Sequence, residues 1–179
     1  MPEILLSAQQ IQKRVFELAQ EIQRDFPVAA SGALDASPLH FIVVLKGAFM
    51  FAADLVRHFA GEVSVDFIAV SSYASGTTSS GEVRLLKDLD MPLNDRDVIV
   101  VEDVVDSGLT LSYLLDILRA RGPRTLKTVS LLDKRSRRQV DVAIDYVGFT
   151  VPDGFVVGYG LDHAERYRNL PYVAVLDEL

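Results

Sequence analysis

Apolar residues recur with two periods along this chain. Between residues 7 and 26, Ile11, Val15, Leu18 and Ile22 follow one another every three or four positions, the spacing of a helix that buries one face. Ser7 stands three residues before Gln10 in a capping-box pattern, and Pro27 closes the segment. Residues 28–38 are small and turn-rich, so they read as a loop. The pattern then changes to short, almost wholly apolar runs, as expected of strands buried on both faces. Such runs occupy His40–Leu45, Ser64–Ser71, Asp97–Glu102 and Thr125–Leu132. Helices are expected over Ala48–Ala60, stopped by Gly61, and over Leu109–Arg121, where Leu111, Leu114, Leu115 and Leu118 share a face ahead of Gly122-Pro123. Val83–Leu86 reads as a short returning strand. Ala143–Phe149 and Phe155–Tyr159 read as two more, with Pro152-Asp153-Gly154 turning between them. The tail from Ala164 is expected to be irregular or to hold a short strand, VAVL.

Strands alternating with helices imply an α/β fold with a mainly parallel sheet flanked by helices, and right-handed crossovers. No repeat, linker or low-complexity block divides the chain, so residues 1–179 are expected to form a single domain. In such sheets ligands bind at the carboxyl ends of the strands, which directs attention to residues 45–47, 102–110 and 132–138. Composition narrows the classes further. A net charge of -7 argues against a global field for nucleic acid, and the lack of cysteine excludes disulfides and thiolate-metal sites. No apolar run reaches the roughly 20 residues of a membrane span, and Met1–Leu6 has no signal-peptide character. These features lead to the expectation of a soluble, cytoplasmic protein without nucleic-acid or membrane partners.

The most informative stretch is VIVVEDVVDSGLT, residues 98–110. An apolar strand ends in Glu102 and Asp103, acceptors suited to sugar hydroxyls or a hydrated Mg²⁺. Asp106, Ser107, Gly108, Leu109 and Thr110 then place backbone N–H groups and hydroxyls at a helix start, an anion site. Gly108 removes a side chain that would block a phosphate. An ordinary strand-to-helix turn would instead use Asp106 or Ser107 only as an N-cap.

This stretch resembles the phosphoribosyl-diphosphate signature of the type I phosphoribosyltransferases, and further segments resemble the hypoxanthine-guanine branch of that family. The resemblance implies the type I fold, with a small hood built from the N- and C-terminal parts. It implies that Glu102 and Asp103 hold the ribose hydroxyls, directly or through Mg²⁺. Asp106 would be the acid/base beside the purine, with residues 107–110 around the 5′-phosphate. Leu45-Lys46-Gly47 resembles the pyrophosphate loop, in which the bond between the first two residues can be cis. Ser72-Tyr73 and the polar stretch after it resemble a mobile lid, spanning about 72–86. Lys134, in Leu131-Leu132-Asp133-Lys134-Arg135, matches the lysine that meets the 6-oxygen of the base; Arg135, Arg137 and Arg138 read as a solvated basic turn. Residues 152–162 resemble the purine-binding region. There Phe155 would stack on the base, the Val156 backbone would meet its edge, and Asp162 would bind a Mg²⁺ carrying pyrophosphate. Arg168 would hold a pyrophosphate oxygen. His163 and Ala164 depart from the usual residues at their positions.

The activity so implied is transfer of the 5-phosphoribosyl group to N9 of hypoxanthine or guanine, giving IMP or GMP and pyrophosphate in a Mg²⁺-dependent salvage reaction. Relatives are dimers or tetramers, which implies self-association. Alternatives are a non-catalytic nucleotide-sensing regulator of the same fold and a xanthine-preferring homologue. A Ser-His-Asp hydrolase is a further rival, but no G-x-S-x-G elbow surrounds Ser107.

Overall fold

A computed structural model describes residues 3–27, 38–72 and 83–176. Its centre is a six-stranded sheet of β2 (Leu39–Leu45), β3 (Val63–Ser72), β4 (Val83–Lys87), β5 (Asp97–Val105), β6 (Thr125–Asp133) and β7 (Tyr146–Thr150). The strands lie in the order β4-β3-β2-β5-β6-β7; all pairs are parallel except β3 with β4. Alternate residues of the central strands feed two cores. Phe41, Val43, Ile99 and Val101 face α1 (Ala8–Asp25) and α2 (Phe49–Val56). Ile42, Val44, Val98 and Val100 face α3 (Leu109–Arg119). Burial on both sides is why these runs show no polar alternation.

A second sheet of β1 (Glu3–Leu6), β8 (Phe155–Val157) and β9 (Val173–Leu176) has the order β1-β9-β8 and is antiparallel. It joins the two ends of the chain into the hood. Leu6, Val156 and Val173 share the α1/α2 core. The sequence pattern gave β1 no strand signal, because its four residues pair with a partner near the other end of the chain.

α1 starts as expected: Ser7 Oγ accepts from Gln10 N–H at 3.3 Å, and Gln10 Oε1 accepts from Ser7 N–H at 2.9 Å. Other boundaries differ from expectation. α2 ends at Val56 rather than Ala60; His58 and Phe59 turn off its axis, and Phe59 packs edge-on to Phe41 at 5.1 Å. β5 runs three residues past Glu102, held by β6 as far as Val105 opposite Asp133. β7 begins at Tyr146, not Ala143. The chain before it is drawn across the loop after β5, where Gln139 N–H donates to Ser107 O at 2.9 Å, while Val142 and Ile144 pack on the α3 core. β8 stops at Val157 because Gly158 (φ 97°) and Tyr159 (φ 51°) turn the chain away. Of the expected lid, Ser72 closes β3 and residues 83–86 belong to β4; Tyr73 and the rest of the polar stretch lie outside the described residues.

Candidate active site

The carboxyl edge of the sheet carries a cavity of about 240 Å³ between the ends of β2 and β5 and the start of α3. Glu102, Asp103, Asp106, Ser107, Gly108 and Thr110 line it together with Leu45. β5 delivers the two acids just past Val101, where its pairing with β2 ends, while β6 still holds it at Glu102, Val104 and Val105. The N-cap of α3 is Gly108, at φ 83°, and not Asp106 or Ser107. Ser107 Oγ accepts from Leu109 N–H at 3.3 Å, and no side chain caps the helix at its N-cap residue. The start of α3 thus presents positive partial charge to the cavity. The space that Gly108 leaves differs from expectation: an added Cβ would meet Val142 Cγ1 at 2.8 Å and Arg138 Cδ at 3.0 Å. The glycine is required by its left-handed φ and by the segment packed against it.

Burial, with Asp103 beside it, pushes the Glu102 carboxyl well above the ordinary range. Burial also lifts Asp103 to about 6, against the hydrogen bond from Val104 N–H and the field of Arg168. Neither carboxylate forms an ion pair among the described residues. Two adjacent oxygen donors of this kind suit a hard divalent cation that takes its remaining ligands from water and substrate phosphates.

The expected pyrophosphate residues converge beside this cavity. The Leu45–Lys46 peptide bond is cis. A Cβ at Gly47 would collide with the Asp103 carboxylate, and one at Gly160 with the Gly47 carbonyl oxygen. Both glycines are therefore needed for residues 45–47, 103 and 160 to lie against one another. Arg168 Nη1 donates to Gly160 O at 2.8 Å, and Arg168 Nη2 lies 2.9 Å from Asp162 Oδ1. Lys46 Nζ, two-thirds exposed, lies 3.0 Å from Glu165 Oε1.

On the opposite side, Lys134 is buried and its Nζ donates to Gly154 O at 2.8 Å, while standing 4.0 Å from Asp106 Oδ2. It thus links the end of β6 to the residue before Phe155. Phe155 is 52% exposed at the start of β8, with its ring edge-on to His163 at 5.1 Å. Val156 is buried in β8, an edge strand that leaves alternate backbone groups free of a sheet partner.

The solvated-turn reading of the arginines after Lys134 is corrected for Arg138; Arg135 and Arg137 are exposed, as expected, though Arg137 also pairs with two acids. Arg138 is largely buried and pairs with Asp133, itself 3% exposed as a side chain; Arg137 Nε lies 3.0 Å from Asp106 Oδ1 and its Nη1 3.1 Å from Asp153 Oδ1. Arg135 remains mostly exposed, with Nε 3.0 Å from Asp133 Oδ2. A buried acid needs compensating charge, so the single acid at the head of Asp133-Lys-Arg-Ser-Arg-Arg was the available signal for this cluster. Glu165 was also missed, since nothing local to it predicts a partner 119 residues away.

The model of the phosphoribosyl transferase domain family matches residues 3–164. A hypoxanthine-guanine phosphoribosyltransferase of Bacillus subtilis is 51% identical over 173 residues, 97% of this chain and 92% of that protein. One from Mycobacterium avium is 53% identical over 174 residues, 97% of this chain and 85% of that protein. The crystal structure of a Bacillus anthracis hypoxanthine-guanine phosphoribosyltransferase superposes with a TM-score of 0.89 at 47% identity, covering 99% of each chain. With its signature segment folded into the acid-ended strand and helix-start cup, this chain belongs to the phosphoribosyltransferase family.

Proposed function

We propose that the chain acts as a single domain that transfers the 5-phosphoribosyl group of phosphoribosyl diphosphate to N9 of hypoxanthine and/or guanine, releasing pyrophosphate in purine salvage. The observation that carries this reading is a set of contacts around the cavity: Gly47 lies against Asp103, Gly160 against Gly47 with Arg168 on the Gly160 carbonyl, and Lys134 stands 4.0 Å from Asp106. The cup at 106–110 and its two carboxylates lie between the cations Lys46 and Arg168 on one side and the Lys134–Phe155 pair on the other.

The 5′-phosphate takes the N–H groups and hydroxyls of Ser107, Gly108, Leu109 and Thr110. Glu102 and Asp103 hold the ribose hydroxyls, and Lys46, the Gly47 backbone and Arg168 hold the diphosphate. Phe155 stacks on the purine, the Val156 backbone meets its edge, and the Lys134 ammonium donates to the 6-oxygen. A donor at that position disfavours adenine, whose 6-amino group is itself a donor. Ser72 and Tyr73 begin the lid that excludes water from the reacting sugar.

As the C1′–O bond to the diphosphate breaks, positive charge grows on the ribose and negative charge on the leaving group. Arg168 and Lys46 face the negative charge; the carboxylates of Glu102 and Asp103 face the positive. N9 of the purine forms the new bond to C1′ with inversion. Asp106, within reach of Lys134 and Arg137, accepts the proton that leaves N7. Glu102 and Asp103 would hold Mg²⁺ beside the ribose hydroxyls, and Asp162 a Mg²⁺ that carries the pyrophosphate; the three do not gather into one metal-binding group among the described residues. The chemistry Mg²⁺ supplies when bound is neutralisation of diphosphate charge. The working form is a cytoplasmic homodimer or homotetramer.

A base panel tests the reading. With phosphoribosyl diphosphate and Mg²⁺, nucleotide should form from hypoxanthine or guanine, with xanthine as the informative third base. Product only from adenine or uracil would overturn it.

A further inference from the structure

Glu165 sits where an anion would. Its Oε1 lies 3.0 Å from Lys46 Nζ and its Oε2 3.4 Å from Arg168 Nη2. One carboxylate thus bridges the two cations assigned above to the diphosphate. We propose that Glu165 is an internal stand-in for the diphosphate: it occupies these two cations until the ligand arrives and takes them back as pyrophosphate leaves. This rests on the reading of Lys46 and Arg168 as diphosphate ligands.

The backbone around Glu165 supports a specific placement. His163 and Arg166 exchange hydrogen bonds in both directions, N–H to O at 3.2 and 3.0 Å, which makes Ala164-Glu165 the two-residue tip of a tight turn. Both tip residues have positive φ, 49° and 61°, as a type I′ turn requires. Such tips favour Asn and Gly, and neither residue here has that freedom. Non-glycine residues held at positive φ are a local cost found at ligand clamps, and Tyr167 (φ 78°) adds a third in the same segment. Asp162 Oδ2 accepts from Glu165 N–H at 2.8 Å and fixes the tip further. A less strained tip would aim this side chain elsewhere.

Magnitude decides what the contact does. Lys46 and Glu165 side chains are both 66% exposed, and an exposed ion pair is weak. It contributes little to holding the fold, and a multiply charged diphosphate displaces it readily. Its effect is to lower affinity for diphosphate by a small factor and so to favour release of the product, while leaving the purine side untouched.

The test is Glu165→Gln, which keeps shape and removes charge at an exposed position. Mg²⁺-pyrophosphate is titrated into the full chain by calorimetry and used as an inhibitor against phosphoribosyl diphosphate. The expected result is binding about two- to fivefold tighter, the range open to an exposed pair. The KM for phosphoribosyl diphosphate should fall in step, with the KM for the purine unchanged. Lys46→Met and the double variant complete a cycle: without Lys46, the gain from Glu165→Gln should shrink. If Glu165→Gln binds pyrophosphate no tighter while Lys46→Met binds it more weakly, the stand-in is wrong and the diphosphate site survives. If Lys46→Met binds it as the parent does, the site assignment fails and the stand-in with it.

Discussion

Glu102 and Asp103 are adjacent, have no ion pair among the described residues, and are held off their ordinary acidity chiefly by burial. Asp103, raised to about 6, stays protonated in the folded chain at pH values where the unfolded chain has already lost that proton. Its contribution to stability is therefore full below its unfolded value of roughly 4 and is lost as pH rises through about 6. Glu102 carries the same loss to higher pH. A ligand bringing positive charge reverses the balance, so binding of Mg²⁺ with phosphoribosyl diphosphate should release protons and tighten as pH rises through about 6. Calorimetry in two buffers of different ionisation heat measures this directly; identical heats would contradict it. In the proposed mechanism Asp106 has a different task. Asp106→Asn should lower turnover about 10²–10⁴-fold while phosphoribosyl diphosphate still binds. Near-normal turnover would remove the acid/base role.

Elements transmit these placements. α3 anchors the cup through Leu111, Leu114, Leu115 and Leu118, all buried against the sheet. Leu114→Ala should cost about 2–5 kcal/mol in denaturant unfolding, because a fully buried leucine leaves a cavity behind. Gly160→Ala should cost both stability and affinity. At φ 100°, with the Gly47 carbonyl in the way, a methyl pushes the hood turn off the pyrophosphate loop; a raised KM for phosphoribosyl diphosphate is the readout. The central strands and the cup were legible in the sequence because their signals are local: continuous apolar runs, then acids, then Ser-Gly at a helix start. β1 was not legible, since four residues gain strand character only from β9. The start of β7 was misplaced because the apolar Val142 and Ile144 fit a strand pattern yet pack on the other core. Arg138 looked like a solvent-facing charge because buried Asp133 takes it only once β6 is in place.

At the scale of the molecule, the site spans two sheets. The cup belongs to the six-stranded sheet, whereas Phe155 and the turn leading to Arg168 belong to the hood. On the proposed assignment, phosphoribosyl diphosphate with Mg²⁺ touches both and should raise the thermal midpoint, by about 2.7 kcal/mol of added stability at a hundredfold excess over its Kd. Base alone should add far less, and equal shifts would argue against the division of the site. The hood has a further consequence. β1 and β8 meet only through β9. Val173–Leu176 are the four residues that zip the first and eighth strands together, although they lie far along the chain from the cup. Losing that pairing should loosen Phe155 while leaving the cup on the six-stranded sheet in place.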